Sequence, residues 1–212
     1  SPCDPNYDWA IYEKSLCKWQ LDENDEAYRL CREAHALNPS DAAIAITLGS
    51  ILDDLGKTRE AIDSFRSSLK KWPYNSNLRF NLGVTYLRNN QPEEAEEVLL
   101  QGIRIKPFHA TSHLALAQAN FVMGRLSKSY LAYNMAILMN PELKLLTEFE
   151  SCITGARDSL NKQHLYLSHN EDNAEKWEAL DLLMRSELAF SEKFRFQGDL
   201  DFLTSRQSYL LF

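Results

Sequence analysis

Residues 42–75 read AAIAITLGSILDDLGKTREAIDSFRSSLKKWPYN, and residues 76–109 read SNLRFNLGVTYLRNNQPEEAEEVLLQGIRIKPFH. Laid one over the other, they match Leu48-Gly49 with Leu82-Gly83, Ala61 with Ala95 and Pro73 with Pro107. Pro39 and Pro141 continue the same interval in both directions. A fixed period of this length marks stacked copies of one supersecondary unit, here residues 8–41, 42–75, 76–109 and 110–143.

Within each copy the residues predict a helix, a tight turn, a second helix and then proline. Gly56, Asn90 and Gly124 follow the first helix, where the chain must leave the right-handed helical region cheaply. Gly49 and Gly83 fall inside that first helix, where glycine costs about 1 kcal/mol relative to alanine. Two such costs at one repeat position call for a common cause, and close approach of the paired second helix, through Ala61 or Ala95, supplies it. Ala27 fills that small slot in the first copy and Ser129 in the fourth. Phe65, Leu99 and Tyr133, with Leu52 and Tyr86, recur where neighbouring units are expected to meet.

On these residues the chain resembles the tetratricopeptide repeat (TPR) family, whose signature is a degenerate helix pair of this period. The resemblance covers residues 8–143. The fourth copy departs from it with Ala117 and Asn120. The first departs with Lys14, Ser15 and Lys18, so that its first helix is either shifted by a residue or two or an atypical terminal cap. The fold the resemblance implies is all-α, a right-handed α-solenoid of helix hairpins over residues 1–143. Additional helices over 144–212 then cap or extend it.

Composition excludes several alternatives. The 212 residues are 44% hydrophobic and 25% charged, with a net charge of −7, an ordinary globular balance that lacks the basic excess a nucleic-acid backbone requires. No apolar run approaches the ~18 residues needed to span a bilayer. The chain is expected to be soluble, either cytoplasmic or, if an export signal has been removed before Ser1, on the outer side of a membrane. Cys3, Cys17, Cys31 and Cys152 do not fix the compartment. A Cys17–Cys31 bridge across one hairpin is conceivable, beside the reading of both as small buried side chains.

Catalytic and metal signatures are lacking. His109 and His113 are four apart, but one sits in an inter-unit turn and the other at a packing position, with no third ligand by spacing. No phosphate loop, nucleophile elbow or paired acid and base stands out, so no enzyme activity, metal or cofactor is expected. Glu93, Glu94, Glu96 and Glu97 after Pro92 suit a solvated helix start.

After Pro141 the rhythm stops. Leu145, Leu146, Phe149 and Cys152 keep helical spacing, as a terminal lid would, and residues 174–195 carry an apolar stripe through Trp177, Leu180, Met184 and Leu188. Phe202, Leu203, Tyr209, Leu210 and Phe212 form an apolar terminus that is either docked on this protein or inserted into another.

The resemblance further implies that first helices line an inner face where protein ligands sit. Carried over by position, that face comprises Ile46, Ser50, Asp53 and Asp54 from the second copy, with Ala43 and Thr47. The third copy adds Asn77, Phe80, Asn81, Val84, Leu87 and Arg88, and the fourth Thr111, Leu114, Gln118, Phe121 and Val122. An exposed strip running from Phe80 to Val122 would be a contact surface. A clamp for acidic carboxy-termini, as in chaperone-binding relatives, is not implied, because Thr111 and Ala115 stand where its cations would be. The expected function is a non-enzymatic scaffold for protein partners within a larger assembly. The alternatives are a structural subunit whose C-terminal helices fill its own groove, and a substrate receptor of an enzyme.

Overall fold

The computed structural model describes residues 7–145. Helix α1 (Tyr7–Gln20) pairs with α2 (Asn24–Leu37), α3 (Ala42–Asp54) with α4 (Thr58–Lys71), α5 (Ser76–Arg88) with α6 (Pro92–Ile105) and α7 (Ala110–Val122) with α8 (Leu126–Met139). A short 3-10 turn, Pro141–Leu145, follows, and no strand occurs among the described residues. The second helices start at residues 24, 58, 92 and 126, and the first helices end at 20, 54, 88 and 122, so the first copy is in register and not shifted. The fold class is that of all-α TPR hairpins.

Two compact units divide the chain, the first reaching Lys106 and the second beginning at Pro107. In the first unit the hairpins pack in chain order, α2 on α3 and α4 on α5, and α3 also touches α5. In the second, α7 packs on α8 and α8 on the 3-10 turn.

The turn inside each hairpin explains the regularity. Asp22, Gly56, Asn90 and Gly124 all have positive φ, at 66°, 74°, 56° and 72°. Each is followed by an amide that reaches back five residues, Glu23 to Lys18, Lys57 to Leu52, Gln91 to Tyr86 and Arg125 to Asn120, at 2.8–3.0 Å. These bonds satisfy carbonyls that the helix end leaves bare. A Cβ at Gly56 would meet nothing, so the left-handed backbone is what that position demands, and short polar Asp and Asn tolerate it at the other copies. First helices are capped at the start by Asp41, which accepts from the Ala43 amide at 2.7 Å, and by Asn75, which accepts from the Leu78 amide at 3.0 Å.

The helical glycines sit where close approach requires them. A Cβ on Gly49 would lie 2.5 Å from the Phe65 ring, and one on Gly83 2.6 Å from Leu99. Phe65 and Leu99, and not Ala61 and Ala95, are thus the side chains that meet these glycines. Cys17 is exposed and Cys31 buried, both as free thiols, so the conceivable bridge is not formed. Burial pushes the Cys31 thiol up to about 12. Glu93, Glu94 and Glu97 are exposed at the start of α6, as a solvated helix start requires. Cys3, Cys152, the expected helices after residue 145 and the apolar terminus from Phe202 to Phe212 lie outside the described residues.

Candidate functional site

A recess of about 280 Å³ opens among the first helices of the first unit. Tyr12, Leu16 and Trp19 of α1, Ala43, Ile46, Thr47 and Ser50 of α3, and Asn77, Phe80 and Asn81 of α5 line it. Helical periodicity accounts for the set, because residues three and four apart share a face. The structure thus brings together Ile46, Ser50, Asn77, Phe80 and Asn81 of the expected face.

Sequence reasoning missed Tyr12, Leu16 and Trp19, yet the signal was there. Subtracting one repeat from Ile46, Ser50 and Asp53 lands on these three residues. The polar substitutions at Lys14, Ser15 and Lys18 hid that register, although Ser15 is fully buried and fits the small slot well. Trp9, half exposed, tilts against Tyr12 with ring centroids 5.3 Å apart, extending the aromatic side of α1 outward.

Hydrogen bonding fixes the polar atoms of the recess. Tyr12 and Thr47 join their hydroxyls at 3.0 Å, and burial raises the Tyr12 phenol above its usual range against that bond. Ser50 donates to the Ile46 carbonyl at 3.1 Å, and Asn81 Nδ2 donates to the Asn77 carbonyl at 2.8 Å. Because a carbonyl only accepts, the Asn81 atom facing it must be the amide nitrogen. Asn81 Oδ1 is then a buried acceptor without a partner.

Asp53, Asp54 and Arg88 take a different part from the one expected of them as open groove residues. Arg88 Nη1 donates to Asp53 Oδ2 and Asp54 Oδ1, each at 2.9 Å, Thr85 donates to Asp53 at 3.1 Å, and Trp19 Nε1 donates to Asp54 at 2.8 Å. This network ties α1, α3 and α5 together at one end of the recess. Burial pushes the Asp53 carboxyl above the ordinary carboxylate range, and Arg88 opposes that shift.

The expected exposed strip is not open on α5. Phe80, Val84 and Leu87 are buried, because α5 is packed by α3, α4 and α6 and so has no bare stripe along this length. In the second unit Thr111, Leu114, Gln118 and Phe121 are buried too, while Val122 is 44% exposed. His109 pairs with Ser112 and His113 with the Pro107 carbonyl, both local contacts.

Comparison with known proteins bears on the same repeats. Residues 54–119 match the sequence model of the tetratricopeptide repeat. The chain is 26% identical over 113 residues to the BBSome complex member bbs-4 of Caenorhabditis elegans, covering 53% of this chain and 23% of the relative. It is 25% identical over 130 residues to a peroxisomal targeting signal receptor of Candida albicans, covering 58% and 22%. The chain thus spans less than a quarter of the length of either relative. Among solved structures, the thermophilic TPR protein TTC0263 of Thermus thermophilus superposes with a TM-score of 0.62 at 19% identity, covering 86% of this chain and 99% of that one. Recurrent hairpins, left-handed turns at one register and the match over residues 54–119 agree that the chain carries tetratricopeptide repeats.

Proposed function

We propose that this chain is a non-enzymatic protein-docking scaffold whose recess on α1, α3 and α5 holds a segment of a partner protein, in the setting of a multiprotein assembly. The observation that carries this reading is the recess itself, whose walls come from three consecutive repeats and carry no formal charge. The names of the relatives, a complex member and a targeting-signal receptor, support an interaction role. No described helix is long and apolar enough to cross a membrane. In this reading residues 1–143 are the docking module and 144–212 its extension.

Ile46 offers the cleanest test. It lines the recess and is half-buried, so Ile46→Glu places a charge in the site without emptying the core. Proteins retained from a native extract by the wild type and by Ile46→Glu, with helical content checked by circular dichroism, are expected to differ by loss of the principal partner. Retention of that partner by a folded Ile46→Glu variant would refute the proposal.

A further inference from the structure

In the first unit α2, α4 and α6 all end at one edge, the edge where α3 and α5 begin. Contacts hold the loops of that edge together. Lys71 Nζ donates to the Pro39 carbonyl between α2 and α3, and Gly102 near the end of α6 lies against Ser76 and Arg79 at the start of α5. We infer that this edge docks on an anionic lipid bilayer, where the chain rests without crossing it.

The tips of the edge are apolar. Tyr74, directly after Pro73, is 82% exposed, Leu37 at the end of α2 is 52% exposed, and Ile105 at the end of α6 is exposed as well. Trp72 is half-buried, with the Lys71 ammonium 4.9 Å from its ring centre. Cations accompany these tips: Lys70 and Lys71 close α4, Arg104 stands in the last turn of α6, and Arg79 in the first turn of α5. A helix dipole accounts for a cation at a helix end, but not for aromatic and aliphatic tips beside it. Rings at the headgroup level with amines reaching the phosphates are the arrangement an interface favours.

The acids near this edge are engaged. Asp8 accepts from Asn38, Asp41 caps the Ala43 and Ile44 amides, and Glu33, a turn inside α2, pairs with Arg29. The chain as a whole stands at −7, which opposes an anionic surface, and distance decides between the two effects. Glu26, Glu60, Glu93 and Glu94 lie in the first turns of the same second helices, each 14 residues long. That length sets them about 21 Å from the edge, whereas salt screens charges beyond about 10 Å at 0.1 M. A bilayer answers both features at once, with phosphates for the cations and an acyl boundary for the tips. An acidic peptide meets only the first.

The full chain can be sedimented with vesicles of phosphatidylcholine alone or mixed with phosphatidylglycerol. At low salt it is expected to bind the mixed vesicles at least about tenfold more tightly, by a margin that shrinks as salt rises. Tyr74→Ser, at an exposed position, should weaken binding several-fold, and Lys70→Glu combined with Arg104→Glu should abolish it. Arg59→Glu makes the same kind of charge change at the opposite end of α4 and should leave binding intact, as should Ile46→Glu in the recess. Circular dichroism checks that each variant is folded. No binding to mixed vesicles at low salt overturns the inference, as does binding that the edge variants leave unchanged or that Arg59→Glu reduces equally. Capture of polyglutamate but not of vesicles, lost in the Lys70→Glu/Arg104→Glu variant, would assign the edge to an acidic protein and overturn it too.

Discussion

In the second hairpin the first helix gives up its side chain at Gly49 and the second helix fills the space with Phe65, whereas in the first hairpin the same two slots hold Ser15 and Cys31, both fully buried. The third hairpin, with Gly83 and Leu99, resembles the second. The helix boundaries hardly differ between them, so what each copy preserves is a small residue on the first helix in close contact with a filled position on the second, and not one residue pair. Ser15 also turns its hydroxyl back to the Tyr12 carbonyl at 2.7 Å, so its polar atom is satisfied inside the packed joint. A reading by residue type alone takes Ser15 for a defect. A reading by size and register takes it for the counterpart of Gly49.

That contrast can be broken most severely at the large side chain. Phe65→Ala should cost about 4 kcal/mol in urea unfolding, and Cys31→Ala only about 1 kcal/mol, because far less packed volume is removed. Equal losses would mean the two joints are not equivalent. Next in size is Gly49→Ala. Helix propensity alone predicts a gain of about 1 kcal/mol. Placing a Cβ 2.5 Å from the Phe65 ring should reverse the sign, to a net loss of about 1–2 kcal/mol, and adding Phe65→Leu should restore part of it. Ser15→Ala should be milder, within about 1 kcal/mol, since it removes one local hydrogen bond and adds no bulk.

The smallest expected effect is a pH dependence at the contact between these two hairpins. Burial lowers the His35 pKa below its ordinary 6.5, with Lys71 adding to the shift. The folded state therefore favours neutral imidazole, and its contribution is complete above the ordinary value and lost as pH falls through the lower folded value. Thermal unfolding between pH 7 and pH 5 should show wild type losing more stability than His35→Gln. Parallel curves would remove His35 from the account.

Much of the fold was legible because its punctuation is chemical. Proline spacing and the turn residues Gly56, Asn90 and Gly124 located the hairpins, and the helical glycines pointed to close helix contact. Asp22 completes the turn series and escaped notice because aspartate is less diagnostic of a left-handed backbone than glycine. The site was legible only in part. Position within a repeat placed Ile46, Ser50, Asn77, Phe80 and Asn81 on one face, but position says nothing about pairing. Asp53, Asp54 and Arg88 therefore looked like open ligand groups, although Arg88 binds both carboxylates. Exposure was the least legible property. Val84 and Leu87 share a register with groove residues of other copies, yet helices on several sides of α5 bury them.

Whether the face made by first helices is the docking face can be asked by contact alone. Ala43 is exposed at the recess and Ser67 is exposed on α4, away from it. A photo-activatable benzoylphenylalanine at each position in turn, irradiated in native extract, should give a discrete adduct from Ala43 that Ile46→Glu removes, and none from Ser67. An adduct from Ser67 with none from Ala43 would contradict the account.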